Sequence, residues 1–226
     1  MAPKKQNNPK NFIYILGLFI ITFSFLLTPI AVQAAGETEL SLPDFSGFVE
    51  SVSDGNAGLL KGVYVPNVFS FPIIQQPVGN PGYVSQNPGV ITQFSMATEV
   101  GNVGLLAHNH LAGQTFTKLN VGDEVRLVYG DGEIEYFIVT ELLEYQALQP
   151  SSPYSEFRDL DTDETMSAVA LFRKVYRGKR HVTFQVCIEA HGNAAWGRLF
   201  VIAEPVPNLF IERIRLHRIT EYLASH

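Results

Sequence analysis

From Leu59 onward the chain breaks into short apolar runs, each closed off by Pro, Gly or Asn. Val63-Tyr64-Val65, Phe71-Pro72-Ile73-Ile74, Val90-Ile91-Thr92-Gln93-Phe94 and Val103-Gly104-Leu105-Leu106-Ala107 are the first four. Runs this short, rich in Val, Ile and Phe, read as β-strands. Val121-Gly122-Asp123-Glu124 turns into Val125-Arg126-Leu127-Val128-Tyr129, and Gly130-Asp131-Gly132 is a hairpin signal, since tight hairpin turns need residues that tolerate positive φ. The return strand is expected over residues 134–143, and two more over 182–188 and 198–203. Several short strands with turns between them fit a closed or nearly closed β-barrel. A hydrophobic share of 46% and an aromatic share of 12% supply its core. Residues 146–162 read as a long loop. A helix is expected over Glu164 to Arg177, capped by Asp163 or Thr162 and ended by Gly178. The fold class is therefore mainly β: a closed barrel with short helices.

The flanks differ in character. Lys4, Lys5 and Lys10 precede an almost wholly apolar stretch from Phe12 to Leu27, broken by Thr28-Pro29 and followed by Val32-Gln33-Ala34. Residues 1–34 read as a secretory signal peptide cleaved after Ala34, with an uncleaved membrane anchor as the alternative. Either places the remainder outside the cytoplasm, at the cell surface or beyond. Residues 35–57 are rich in Gly, Ser, Glu and Asp and read as a flexible linker. The barrel domain is expected over 58–206. Residues 207–226 read as a C-terminal amphipathic basic helix, packing on the barrel, a partner or a membrane surface.

The net charge is −6, with no basic block beyond the first ten residues, which argues against nucleic acid as the partner. The one cysteine, Cys187, ends the run Thr183-Phe184-Gln185-Val186-Cys187. It cannot form an internal disulfide, and an unpaired thiol in an exported chain is either a buried, inert residue or a reactive group. Upstream lies Ala107-His108-Asn109-His110, and downstream Arg198 opens the run Arg198-Leu199-Phe200-Val201-Ile202. Together they supply a proton carrier, a nucleophile and a fixed positive charge, the set needed for acyl transfer through a thioester. His108 and His110 also have the spacing of a zinc-binding pair, but no second ligand cluster accompanies them. His191, four residues after Cys187, is a rival base; His181, His217 and His226 read as surface or loop residues. Asp159, Asp161 and Asp163, followed by Glu164, alternate as in calcium loops, yet the Gly and Glu of such loops are missing. A solvated acidic loop is the default there, calcium the alternative, and no other cofactor is expected.

In this order the residues resemble a sortase, a cysteine transpeptidase of the bacterial cell surface. Gly62-Val63-Tyr64-Val65-Pro66 with Phe71-Pro72-Ile73-Ile74 is similar to the family's opening strand pair. Gly104-Leu105-Leu106-Ala107-His108-Asn109 sits where the family has its Gly-His step, and Phe116 to Val125 is similar to the phrase that follows. Thr183 to Cys187 and Gly197-Arg198-Leu199 resemble its cysteine and arginine strands. The resemblance covers about residues 58 to 205. It implies a small β-barrel, with Cys187 as nucleophile, His108 as general acid/base and Arg198 stabilising the oxyanion or substrate carbonyl. It also implies cleavage of a sorting-signal peptide bond and transfer of the acyl group to an amine or water. Val186, His110, Trp196, Tyr154 and Phe157 are the expected substrate-facing positions, with Leu160 beside them. Two departures stand out: Ala107 replaces the small Gly before the histidine, and Val186 replaces the usual Thr before the cysteine. Two other classes remain: a catalytically silent barrel that binds peptides, and a different cysteine hydrolase such as a cell-wall amidase.

Overall fold

A computed structural model describes residues 43–207; the expected signal segment of 1–34 and the expected C-terminal helix, from residue 208 on, lie outside them. The strands are β1 (Leu60–Val65), β2 (Phe69–Gln75), β3 (Ile91–Phe94), β4 (Val103–Leu106), β5 (Glu124–Tyr129), β6 (Ile134–Ala147), β7 (Glu156–Asp159), β8 (Thr165–Ser167), β9 (Val182–Ala190) and β10 (Asn193–Pro205). Eight of them close a barrel in the order β1-β2-β3-β4-β9-β10-β6-β5 and back to β1. Two neighbours, β2–β3 and β4–β9, are parallel, and the other pairs are antiparallel. The mainly-β closed barrel expected from the sequence is present.

Strand alternation builds the core. Val63, Leu105, Leu127, Phe137, Phe184 and Val201 face inward and are fully buried. Residues between them face outward, where short helices cover part of the wall. Helix α2 (Ser95–Glu99) and helix α3 (Ala168–Tyr176) lie over an outer apolar cluster that holds Ala97, Tyr145, Leu171, Val175, Tyr176 and Phe200. A 3-10 helix, Ala112–Lys118, contributes Phe116 to the inner core.

Three expectations change. The segment read as linker carries helix α1 (Phe45–Val52), capped by the Asp44 side chain accepting from Gly47 N at 2.6 Å. Its Phe48 is buried on Tyr64 and Val128, and it rests on Gly62, where a Cβ would stand 2.9 Å from the Phe48 ring. The expected helix over 164–177 starts later. Residues 165–167 pair with β7, and Ser167, not Asp163 or Thr162, caps α3 by accepting from Ala170 N at 3.2 Å. The loop read over 146–162 contains β7, which adds β7 and β8 to the edge of the long strand β6. One histidine also moves: His181, read as a surface or loop residue, is 7% exposed, with its ring nitrogens against the carbonyls of Lys179 and Val175.

Candidate active site

The face on which Cys187 lies follows from the alternation of β9. Val182, Phe184 and Val186 belong to the inner core, so Thr183, Gln185 and Cys187 project from the outer wall. Helix α3 covers the first two. The Thr183 hydroxyl donates to Val175 O at 2.6 Å, and the Tyr176 hydroxyl donates to Gln185 Oε1 at 2.5 Å. Cys187 is the next outward position and is partly exposed as a free thiol.

Strand β10 repeats this pattern. Leu199 and Val201 face the core, while Phe200 lies under the helices and Arg198 is the next outward residue. Arg198 is the direct cross-strand partner of Cys187. Facing residues in an antiparallel pair have Cβ atoms about 4.5–5.5 Å apart. Cys187 and Arg198 thus leave the wall at neighbouring points on the same face, beyond the stretch that α3 covers. The guanidinium donates from Nη1 to the carbonyls of Ala195 at 3.0 Å and Gly197 at 2.8 Å. Gly197 lets this part of β10 approach β6: a Cβ there would stand 2.6 Å from Tyr145 O.

His108 arrives on the other side of β9. Strand β4 runs parallel to β9 with Leu106 opposite Gln185, and Ala107 N adds a bond to Gln185 O at 3.4 Å. Leu105 and Ala107 belong to the inner core. Leu106 is the last paired residue of β4, and His108 follows it by two residues, as Cys187 follows Gln185 on β9. Neighbouring strands lie about 4.8 Å apart, so the backbone positions of His108, Cys187 and Arg198 fall on three adjacent chain segments. The chain then turns, with Leu111 N and Gly113 N both donating to His108 O at 3.0 and 3.1 Å. Gly113 permits this turn, since a Cβ there would lie 2.6 Å from that carbonyl and 2.7 Å from the Val186 side chain.

Two side chains hold the histidine segment. Asn109 Nδ2 donates to Ala194 O at 3.0 Å, tying it to the end of the β9–β10 hairpin. The Gln86 amide nitrogen lies 2.8 Å from His108 Nε2. His110 stacks on His108, with ring centroids 5.4 Å apart and planes 29° apart. Among the described residues, no hydrogen bond joins the Cys187 sulfur to an imidazole.

The remaining sequence candidates fall in different places. Trp196 is half-buried, with His191 against its ring at 5.7 Å in the hairpin end. His191 itself sits in the exposed turn at φ +52°. Tyr154 is 87% exposed. Phe157 packs on the outer apolar cluster beside α3. Val186 must be corrected as a substrate-facing residue. It is 2% exposed in the inner core, so its side chain offers no surface to a peptide. Gln86 and Asn109 were missed, because single amides in polar loops carry no sequence signature.

The register continues past Arg198 to Tyr145 on β6 and Asp159 on β7, which are successive cross-strand partners. Burial opposes ionisation of Asp159, yet the backbone N–H groups of Asp161 and Thr162 and the nearby Lys174 hold its carboxyl below the usual range. The acidic run is thus a hydrogen-bonded turn in which Asp163, at φ +63°, pairs with Arg158 at 3.6 Å. Among the described residues, no three His, Cys, Asp or Glu side chains converge as a metal site. No described helix is long and apolar enough to cross a membrane.

The chain matches no protein-family model and no curated protein. Solved structures similar to it are sortases. Sortase A from Listeria monocytogenes is 14% identical, with 68% of this chain and 89% of that chain covered and a TM-score of 0.43. A sortase C from Clostridium perfringens is 13% identical, with 72% and 82% covered and a TM-score of 0.41. A sortase C-1 from Actinomyces oris is 13% identical, with 73% and 82% covered and a TM-score of 0.43. Likeness at this level carries nothing about chemistry, which rests on the side chains themselves.

Proposed function

We propose that this protein is a sortase-like cysteine transpeptidase acting outside the cytoplasm. The carrying observation is the cross-strand pairing of Cys187 with Arg198 on uncovered outer wall, with His108 on the adjoining segment. The resemblance of the surrounding motifs to sortases supports the same reading.

The chemistry follows from the three groups. A free thiol has a pKa of about 8.5, so at neutral pH only a minority is thiolate, and a neighbouring imidazolium favours that form. The Cys187 thiolate attacks the peptide carbonyl, and Arg198, which keeps its proton, stabilises the oxyanion. The C–N bond breaks as the His108 imidazolium gives its proton to the leaving amine, leaving a thioester on Cys187. An acceptor amine then attacks the thioester. His108 takes back a proton, the C–S bond breaks, and the thiolate returns with a new amide formed. The substrate class is a sorting-type peptide, the acceptor an amine or water, and no cofactor takes part. The apolar N-terminal segment would bring the barrel to the membrane's outer side.

One observation favours a second reading, a peptide-binding barrel without turnover: the Arg198 guanidinium is engaged by backbone carbonyls of its own strand. The two separate in one assay. The protein is incubated with a sorting-type peptide library and an amine, and products are read by mass spectrometry. Transfer product with wild type and none with Cys187→Ala supports the transpeptidase. Peptide retention with no product from either protein establishes the binding module instead.

A further inference from the structure

The loop between β2 and β3 ends on the histidine. Its anchoring is internal and largely buried. The Gln76 side chain, 9% exposed, donates from Nε2 to Pro81 O and Tyr83 O, both at 2.9 Å. Its Oε1 accepts from the backbone and hydroxyl of Ser95, also at 2.9 Å. Further along, Ser85 N donates to the Thr92 hydroxyl at 2.8 Å, with Ser85 2% and Thr92 0% exposed. Ser85 Oγ in turn accepts from Asn87 N at 3.1 Å. The residues on both sides of Gln86 are therefore fixed to one point of β3. Thr92 is the cross-strand partner of Leu106, two residues before His108. Gln86 is exposed, but its backbone is held on both sides, so less of its freedom remains to be lost in making the 2.8 Å contact with Nε2.

We propose that Gln86 is a positioning residue for His108, holding the imidazole in place by its Nε2. The fit rests on the chemistry of the amide. A carboxamide carries a donor nitrogen and an acceptor oxygen, so it can meet Nε2 whether that nitrogen accepts or donates. In the charged ring Nε2 is a donor, and the amide meets it with Oε1. An amide thus serves both states of the proton carrier, whereas a carboxylate would favour the charged ring alone. Asn109, tied to Ala194, steadies the backbone, and Gln86 steadies the ring.

This inference rests on His108 being the proton carrier, but its test does not need turnover. The full chain is labelled with nitrogen-15 histidine, and long-range proton–nitrogen spectra are recorded above the pH at which the ring is neutral, with His108→Asn supplying the assignment. Wild type is expected to show His108 ring-nitrogen signals displaced from those of free histidine. Gln86→Ala is expected to move them towards the free-histidine values, with the backbone spectrum unchanged. In the transfer assay, Gln86→Ala should lower kcat on the order of 10- to 100-fold with little change in KM, as a misplaced reacting group does. A His108 spectrum identical in wild type and Gln86→Ala overturns the proposal whether or not the protein transfers acyl groups. An altered spectrum without any transfer in wild type upholds Gln86 and overturns the transpeptidase instead.

Discussion

Arg198 and Cys187 were both legible as candidates in the sequence, because the one cysteine ends an apolar run and Arg198 opens the next. Their pairing was not, since which residues face each other depends on register, and a slip by one residue would turn Arg198 into the core. The observed register puts it opposite Cys187 on the outer face. If the guanidinium stabilises the oxyanion, its directed donors matter as much as its charge. Arg198→Lys is therefore expected to lower kcat on the order of 10²-fold, the scale for losing one oxyanion donor, while Tm and peptide affinity stay close to wild type. Steady-state kinetics with thermal denaturation checks this, and an Arg198→Lys protein of full activity would remove the role. Val186 shows the opposite failure of sequence reading. Its position next to the nucleophile suggested a substrate contact, but adjacent residues on a strand face opposite ways.

Among the elements, the strands were read well, because their apolar runs are bounded by turn residues such as Gly130 and Gly132. Helix α1 was missed because its stability is tertiary. Eight residues are too few for a helix to persist alone, and Phe48 finds its partner at Gly62, outside the segment. Strand β7 was missed because Glu156-Phe157-Arg158-Asp159 has no apolar alternation; its pairing comes from the free edge of β6. The junction of α1 with the barrel is tied by Asp54 and Lys61, 2.6 Å apart. The Lys61 ammonium and the Asn56 backbone N–H hold the Asp54 carboxyl at about 2, against an ordinary value of 3.8. A carboxyl with a lowered folded pKa contributes stability above its unfolded pKa and loses it as pH falls towards the folded one. Asp54→Asn should therefore lower Tm at pH 7, with the gap narrowing below pH 3.8 and closing near pH 2. A gap of constant size across that range, in melts at several pH values, would count against the contact.

At the scale of the molecule, the barrel is a rigid wall whose inside is packing and whose outside is divided between covered and open stretches. Phe184 sits in the inner core on β9, three residues before Cys187, fully buried against Phe69 and Phe116. Phe184→Ala is expected to cost about 3–5 kcal/mol in global stability, measured by urea denaturation; a loss below about 1 kcal/mol would mean the barrel repacks freely. The barrel was legible in the succession of strands, whereas the helix cover that leaves Cys187 open depends on α3 reaching Thr183 and Gln185 and no further. If the proposed function holds, this open sulfur carries an acyl group during turnover. The most direct test is the intact mass of the full chain after incubation with a sorting-type peptide library in the absence of amine. The expected result is an added acyl fragment that maps to Cys187, is discharged by an added amine and is missing from Cys187→Ala. A library that is cut or transferred equally by Cys187→Ala, or that binds and never adds mass to Cys187, would contradict it.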